Sequence, residues 1–338
     1  MNIKQLLKSS SIYPMLRLMR DTKTAYAMFD VHNKLASLKG ILEANKMYGW
    51  NPDEYFLYHY PQLSDSARKS FIGECEHVVM SEWLNSVEVR KVLADKWNTY
   101  VVFNSFFKRK AARVMGGGNF MEFKSLLAES GKLILKPFDG SFGKGIQIVT
   151  HEGMNEMSFN ELIKDYPNGF IAEQLIQQDE RMAVLHPESV NTLRIHTIQY
   201  GGKIVVFHPY VRIGRGASFV DNAGSGGVFT SCNPDTGEIL SIVDESGHAF
   251  TEHPDNHFPL LGYKIPCWKE AFDFAQQLAA QLPDLHYAGW DIALTDNGWV
   301  LVEGNPRAQL VFQISEQKGF RTEMDCILNE MGITERWG

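Results

Sequence analysis

The segment 290–306 is the part of the chain that most restricts how it can fold. Two apolar stretches flank the turn sequence Asp296-Asn297-Gly298, which is typical of a β-hairpin. If these three residues form the loop, Asp291 lies directly opposite Glu303, and Asn305 falls on the same face because side chains alternate along a strand. Two carboxylates this close repel each other unless a cation neutralises them, and oxygen ligands suit magnesium. The sequence therefore predicts a metal site made of Asp291, Glu303 and Asn305.

Two other arrangements of this hairpin stay open. The favoured register pairs Thr295 with Trp299, whereas a two-residue turn at Asn297-Gly298 would place Glu303 opposite Ile292 and separate the acids. A hairpin on the surface would leave both acids in water. We favour the buried site, because both stretches are apolar on both faces, as in strands that are covered on two sides.

The bulk composition excludes one broad class of partner. The chain has 338 residues, with 40 acidic and 33 basic side chains and a net charge of −7, whereas nucleic-acid-binding domains usually carry a basic surface. We therefore expect no nucleic-acid partner, and an anionic ligand would need a local group of basic residues. A chain of this length is expected to form more than one lobe.

The cysteines and the N-terminal segment bear on location. Cys75, Cys232, Cys267 and Cys326 lack the paired spacing of zinc sites and disulfide frameworks, which favours the cytoplasm. No run of about 18 apolar residues predicts a membrane span. Residues 1–24 mix basic and apolar side chains, so weak peripheral membrane contact is one interpretation and a docking helix with a basic outer face is the other. The oligomeric state is not indicated.

The pattern along the chain predicts three regions. Residues 1–94 are mostly helical, residues 95–175 form a lobe with a glycine-rich loop, and residues 176–338 form a second lobe with the metal and substrate site. Strands are expected at 132–136, 146–149, 170–173, 191–200 and 203–212, and helices at 95–110, 120–130, 155–165, 266–282 and 315–331. Adjacent strand pairs with tight turns favour antiparallel sheets, so the predicted fold class is α+β.

A glycine-rich turn between two strands predicts a phosphate site. Gly140, Gly143 and Gly145 allow backbone N–H groups to approach an anion, and Lys136 and Lys144 supply positive charge at the two ends. The spacing fits neither the Walker A nor the dinucleotide-binding motif. A plain hairpin is the alternative, but a polyphosphate needs a divalent cation, and the downstream acids offer its ligands. The two features together predict a nucleotide and magnesium, with two magnesium ions expected.

The order of these motifs resembles the ATP-grasp superfamily over about residues 95–320. The matching residues are Asp95-Lys96, Lys136-Pro137 with its glycine loop, Ala172 to Ile176, Arg194, Asp291 and Glu303-Gly304-Asn305-Pro306. The segment 189–197, with Asp221-Asn222 and Gly226-Gly227, is similar to the branch called sugar-transfer-associated ATP-grasp proteins. The resemblance implies an ATP-grasp fold, in which two α+β lobes grip ATP between antiparallel sheets, preceded here by a mostly helical N-terminal region.

The resemblance implies contacts for each part of the nucleotide. Lys96 and Lys136 would contact the phosphates. The loop that closes over the phosphates would consist of Gly140, Ser141, Phe142, Gly143, Lys144 and Gly145. The hinge presented to adenine would consist of Glu173, Gln174, Leu175 and Ile176. Glu180 would hold the ribose, with Gln178 and Asp179 as competitors for that role. Asp291, Glu303 and Asn305 match the magnesium ligands. Relatives often carry a second lysine shortly after the Asp-Lys pair, where this chain has Asn98, Thr99 and Tyr100.

Arginines mark the expected substrate side of the site. Arg194 matches the position whose guanidinium meets the γ-phosphate and the acyl phosphate. Arg212 and Arg215 precede a glycine-containing loop, and two arginines beside Asn222 suit a carboxylate or phosphate group. We therefore expect catalytic roles for Lys136, Arg194, Arg212 and Arg215. The expected substrate contacts are Asn191, Arg194, Arg212, Arg215, Asn222, Gly226, Gly227 and Arg307.

These residues predict an ATP-dependent carboxylate–amine ligase that works through an acyl phosphate. Its partners would be a small-molecule carboxylate and an amine. The family resemblance suggests sugar-linked substrates in the synthesis of surface polysaccharides or sugar conjugates. Two rival hypotheses remain. One is a small-molecule kinase of the same fold, and the other is a non-catalytic ATP-binding partner of glycosyltransferases.

Overall fold

The computed structural model describes residues 13–138, 143–216 and 226–333. Within these ranges the chain forms two compact units. The first unit contains residues 13–83, 246–248 and 309–333, and the second contains the described parts of 84–245 and 249–308. The predicted second lobe, 176–338, thus includes a stretch, 309–333, that folds with the N-terminal helices.

The elements alternate between helices and strands after a helical start. The helices are α1 Tyr13–Met28, α2 Lys34–Tyr48, α3 Pro52–Leu57, α4 Asp65–Ser70, α5 Glu74–Leu84, α6 Val87–Ala94, α7 Lys96–Val102, α8 Asn104–Phe107, α9 Phe120–Ser130, α10 Glu156–Leu162, α11 Glu180–Ala183, α12 Trp268–Gln281, α13 Phe312–Glu316 and α14 Arg321–Glu330. The strands are β1 Ala111–Val114, β2 Lys132–Pro137, β3 Gln147–Thr150, β4 Phe170–Gln174, β5 Thr192–Tyr200, β6 Lys203–Ile213, β7 Val228–Cys232, β8 Ile239–Asp244, β9 Tyr287–Thr295 and β10 Gly298–Asn305.

The first unit is helical, and a buried glutamine joins its two ends. Gln313 Oε1 accepts hydrogen bonds from the backbone N–H groups of Ile72 (3.0 Å) and Phe320 (3.1 Å), and its Nε2 donates to the carbonyl of Ile72 (3.0 Å). These bonds connect the link between α4 and α5 with α13 and with the start of α14.

Among the described residues, no helix is both long enough and apolar enough to cross a membrane.

The second unit contains two antiparallel sheets. The smaller sheet has the strand order β1-β4-β2-β3, and the larger has the order β10-β9-β5-β6-β7-β8. Helices α9 and α10 cover the smaller sheet with Phe123, Leu127 and Phe159, which are fully buried. Helix α12 packs on the larger sheet, and its buried face includes Ala271 and Leu278. The mixed α+β architecture with antiparallel sheets is therefore as predicted.

The local predictions succeeded where the sequence pattern was long and regular. The turn between β5 and β6 consists of Gly201 and Gly202 alone, both with positive φ angles (58° and 81°), as a tight hairpin requires. The helix predicted for 95–110 ends at Phe107, because the chain turns at Phe103 and Lys108 and then enters β1. The sequence analysis does not predict strands β1, β7 and β8, which have four, five and six residues.

Candidate active site

Three neighbouring strands place charged residues in one row across the larger sheet. Glu303 on β10 pairs with Asp291 on β9, and Asp291 pairs on its other side with Arg194 on β5. Arg212 on β6 lies opposite Thr192, two residues before Arg194, so it projects from the same face. The sheet therefore brings together two arginines and two acids whose contacts join positions 79 and 97 residues apart in the sequence.

The hairpin reaches the predicted pairing of its acids by a different route. Thr295 pairs with Gly298, so the loop has two residues, Asp296 and Asn297, and the expected three-residue loop is wrong. A β-bulge between Leu301 and Glu303 then shifts the register by one residue. Because the bulge compensates for the shorter loop, Glu303 still lies opposite Asp291.

Asp291 is a buried anion held by two guanidinium groups. Its Oδ1 accepts from Arg194 Nε at 2.5 Å, and its Oδ2 accepts from Arg194 Nη2 and Arg212 Nη1, each at 2.8 Å. Burial would raise the pKa of Asp291, but the charges and hydrogen bonds of the two arginines outweigh it and lower the pKa to about 2. Gly289, two residues earlier, gives Arg194 room, since a Cβ there would lie 3.1 Å from Arg194 Cδ and 2.2 Å from the Cβ of Ala308.

The other two predicted metal ligands lie beside Asp291 on β10 and are more exposed. The Glu303 side chain is 52% exposed, and its Oε1 is 4.0 Å from the Nζ of Lys96 at the start of α7. The Oδ1 of Asn305 accepts the backbone N–H of Arg307 at 3.1 Å. The described part of the chain has no group of three or more His, Cys, Asp or Glu side chains arranged to hold a metal ion, so a metal site here would depend on the amide of Asn305.

The donor set nevertheless fits a hard divalent cation. A carboxylate offers about four lone-pair positions, and the three bonds from the arginines leave one of them on Asp291 Oδ1. Glu303 supplies a carboxylate that water can reach, and Asn305 supplies a further oxygen. Magnesium binds through one or two carboxylates plus phosphate and water rather than through a complete protein cage.

The smaller sheet contributes a second buried charged cluster. Lys136 on β2 and Glu173 on β4 are diagonal neighbours, with Lys136 Nζ 3.1 Å from Glu173 Oε2. Arg109 binds the same oxygen through Nε at 2.8 Å and Nη2 at 2.5 Å. Burial would raise the pKa of Glu173, but Arg109 and Lys136 lower it, and burial lowers the pKa of Lys136 despite Glu173. Glu173, expected to belong to the adenine hinge, thus directs its carboxylate to two cations.

An open cavity of about 800 Å³ lies beside the predicted hinge. Three of the predicted hinge residues, Gln174, Leu175 and Ile176, line one side, and Phe107 and Val300 add apolar surface. Arg109 also lines it, which connects the cavity to the cluster of Glu173 and Lys136. The Gln174 side chain is used within the chain, since its Oε1 accepts the N–H of Lys110 and its Nε2 donates to Ser130.

The ends of the phosphate loop are described, but its tip is not. Gly140, Ser141 and Phe142 lie outside the described residues, and so does Asn222 of the predicted substrate loop. Gly143 and Gly145 have φ angles of 72° and 73°, and Lys144 between them is exposed. The carbonyl of Gly145 accepts the hydroxyl of Tyr166 at 2.9 Å, which fixes the end of the loop beside β2.

Some predicted substrate residues lie in settings other than the row of charges. The Asn191 side chain is fully buried, and its Nδ2 donates to the carbonyls of Met182 and His186, each at 3.0 Å, so it holds the preceding segment together. Arg215 Nε lies 3.8 Å from Asp255 Oδ1. Gly226 and Gly227 directly precede β7, and Arg307 is exposed after β10.

The three residues considered for the ribose contact, Gln178, Asp179 and Glu180, differ in how far their side chains are already used within the chain. Gln178 accepts from the N–H and the side chain of Asn191 and donates to its carbonyl, and Asp179 binds Arg181 at 2.7 and 2.9 Å. Glu180, at the start of α11, is exposed. Of the three candidates, Glu180 is thus the one whose carboxylate is presented to solvent.

Arg109 was not predicted as a site residue, although its contacts are central. It stands within Lys108-Arg109-Lys110, a basic run of the kind expected on a solvated surface, yet its side chain is only 6% exposed. The one available signal was its place directly before a strand that pairs with β4, but β1 itself was not predicted. Sequence spacing could not reveal that Ala111 pairs with Glu173.

A family model describes residues 84–329 as "Sugar-transfer associated ATP-grasp". The chain belongs to the sugar-transfer-associated ATP-grasp family. The two antiparallel sheets with flanking helices are the ATP-grasp fold that the resemblance implied. The matched residues include the charged row on the larger sheet and the buried charged cluster on the smaller sheet.

Solved structures of ATP-grasp proteins align with the chain at low identity. An N5-carboxyaminoimidazole ribonucleotide synthetase in complex with ADP has 13% identity and a TM-score of 0.42, covering 65% of this chain and 46% of that one. D-alanyl-alanine synthetase A from Vibrio cholerae has 12% identity and a TM-score of 0.42, covering 71% and 65%. The Staphylococcus aureus N5-carboxyaminoimidazole synthetase has 12% identity and a TM-score of 0.43, covering 71% and 52%. This chain thus spans less than two thirds of each of them, and likenesses at this level carry no argument about activity. No curated protein matches the sequence.

Proposed function

We propose that this ATP-grasp protein is a carboxylate–amine ligase that activates its acid as an acyl phosphate. The observation that carries the proposal is the row of Glu303, Asp291 and Arg194 across three strands, with Arg212 on the same face. Arginines and lysines that converge in a sheet suit an anionic transition state, because fixed charges in a poorly hydrated site stabilise developing charge.

The nucleotide would lie along the face that carries this row. The hinge cavity, with its apolar residues Leu175, Ile176 and Val300, would take the base, and Glu180 would hold the ribose. Lys96 and Lys136 would contact the phosphates, and the loop that ends at Gly145 would close over them. Both lysines are electrostatically coupled to Glu303, which supports a common site for phosphates and metal.

Asp291, Glu303 and Asn305 would hold the magnesium ions. The ions would supply positive charge to the phosphates. The chain's own residues would act around them: Arg194 would stabilise the charge on the γ-phosphoryl group during its transfer, and Arg212 would hold the carboxylate that receives it. Asp291 keeps both arginines in position through its three hydrogen bonds.

The reaction would have two balanced steps. In the first, a carboxylate oxygen forms a bond to the γ-phosphorus as the bond to the β-phosphate oxygen breaks, and ADP leaves. In the second, an amine attacks the acyl carbon, phosphate leaves with the bonding electrons, and the amine loses a proton to give an amide. The family description, sugar-transfer-associated, supports a sugar-linked acid or amine. A role in polysaccharide or sugar-conjugate synthesis, and a cytoplasmic location, belong to the same proposal.

Hydroxylamine trapping tests this proposal directly. The protein is incubated with ATP, magnesium and panels of uronic acids, amino acids and other small carboxylates, with hydroxylamine as a surrogate amine. A ligase gives carboxylate-dependent ADP and a hydroxamate. The variant Asp291→Asn should lose both products, whereas Asp284→Asn, at an exposed acid before β9, should keep them. A stable phosphorylated product would replace the proposal with the kinase hypothesis, and nucleotide binding without turnover on any acceptor would favour a non-catalytic role.

A further inference from the structure

The buried cluster on the smaller sheet contains two cations and one anion. Arg109, Lys136 and Glu173 have side chains that are 6%, 11% and 3% exposed. Glu173 Oε2 accepts from both cations, at 2.5 and 2.8 Å from Arg109 and 3.1 Å from Lys136. One carboxylate cannot neutralise two cations, so one positive charge is left over in a place with little water.

The hydrogen bonds decide which of the two cations is fixed. Arg109 donates to Glu173 through Nε and Nη2, and its Nη1 donates to the carbonyls of Phe107 (3.2 Å) and Leu301 (2.6 Å). Four of the five guanidinium N–H groups are thus used. Lys136 Nζ lies 3.1 Å from each oxygen of Glu173. These contacts use at most two of its three N–H groups, which leaves at least one for a ligand.

The backbone of Arg109 is fixed as well. The hydroxyl of Tyr100 donates to the carbonyl of Arg109 at 3.1 Å and accepts the N–H of Ala111 at 3.2 Å. The guanidinium lies 4.6 Å from the ring of Phe107. Tyr100 is one of the residues that stand where a second lysine was expected, and here it holds an arginine in place instead.

We propose that Arg109 is a positioning residue that neutralises Glu173, so that the charge of Lys136 remains available to an anionic polyphosphate. Arg109 has two N–H groups on Glu173 and two more on backbone carbonyls, so its fixed planar fork holds the carboxylate more rigidly than the point charge of an ammonium group. Without Arg109, Glu173 and Lys136 would form a neutral pair, so the lysine would offer an incoming phosphate no net positive charge. This inference rests on the proposed function, because it assigns Lys136 to the phosphates of ATP.

Charge rescue distinguishes this role from a merely structural one. ATP, ADP and inorganic tripolyphosphate are titrated against the full-length chain by calorimetry. We expect Arg109→Met to weaken binding of all three about tenfold or more, in the range of coupling between groups in contact. The double variant Arg109→Met with Glu173→Gln should recover most of that loss, because the carboxylate that captures Lys136 is gone. If the double variant binds as weakly as Arg109→Met, the inference is overturned.

A second cycle shows whether the effect passes through Lys136. In a Lys136→Met background, Arg109→Met should weaken binding little further, and an undiminished additional loss would contradict the proposal. Circular dichroism and thermal unfolding verify the fold of each variant. If Arg109→Met does not fold, Arg109→Lys takes its place, with a smaller loss and the same rescue expected. If the wild-type chain binds tripolyphosphate but neither nucleotide, the proposed function is refuted, and the variants of Arg109 still test the inference with tripolyphosphate. If the wild-type chain binds none of the three anions, the inference is refuted as well.

Discussion

Replacing Asp291 by asparagine should give a pH-dependent loss of stability whose size follows from the structure. Asp291 is 6% exposed on its side chain and is bound by Arg194 and Arg212. Its pKa falls from the ordinary 3.8 to about 2 in the folded chain. Since each pKa unit corresponds to about 1.36 kcal/mol, the carboxylate contributes about 2.5 kcal/mol at neutral pH. We expect Asp291→Asn to lose about that much free energy of unfolding at pH 7.

The sign of the pH dependence makes the prediction specific. A depressed pKa contributes stability that is fully present above the unfolded value, near pH 4, and is lost as the pH falls through the folded value. The difference between wild type and variant should therefore be constant from pH 5 to 7 and shrink towards pH 2. Urea unfolding followed by tryptophan fluorescence measures it, since Trp290 is fully buried beside the site. EDTA in the buffer excludes bound metal. A difference that does not change with pH would refute the reasoning, and Asp284→Asn serves as the exposed control.

Three further outcomes follow from the site. Gly289→Ala should destabilise the chain by about 1–3 kcal/mol in thermal unfolding and weaken ATP binding, because its Cβ would lie 2.2 Å from that of Ala308. The control Gly118→Ala has open space around its Cβ and should change neither stability nor ATP binding. Lys96→Met should weaken ATP binding several-fold in calorimetry yet change the free energy of unfolding by less than about 1 kcal/mol, because its partner Glu303 is half exposed; a large loss of stability would contradict this. Removal of magnesium with EDTA should weaken ATP binding to wild type, and Glu303→Gln should reduce that dependence on magnesium in the same titration.

The hairpin shows why a pairing can be predicted when its turn is not. Alternation and the positions of the acids favoured Asp291 opposite Glu303, and the structure has that pair. The loop, however, has two residues, and the bulge after Leu301 adds the residue that the loop lacks. A bulge leaves no fixed sequence pattern, because its cause is the packing of both strands against other elements. The correct pairing thus arose from two errors of register that cancel.

The buried clusters mark the limit of prediction from one sequence. Arg194 could be assigned because it lies in a long apolar strand and matches a family motif, whereas Arg109 lies in a short connection between basic neighbours. Its partners Glu173 and Leu301 are 64 and 192 residues away. Contacts over such distances depend on sheet topology, and the topology of the smaller sheet required β1, a four-residue strand with no clear pattern.

The charge balance of the two clusters suggests why so many ionic groups lie in or beside the sheets of one unit. The cationic members are Lys96, Arg109, Lys136, Arg194 and Arg212, and the anionic members are Glu173, Asp291 and Glu303. Buried ion pairs stabilise a fold little better than apolar residues of the same volume, so stability alone does not account for eight charged groups in these clusters. Five cations against three anions leave an excess of positive charge, and Glu303, which acts electrostatically on both Lys136 and Arg194, connects the two clusters. A polyphosphate that contacts both clusters would compensate that excess. Magnesium beside Glu303 would be bound by the two acids and by the remaining phosphate oxygens. The excess charge in these two sheets is therefore what the proposed ATP site requires, because an anionic ligand would neutralise it.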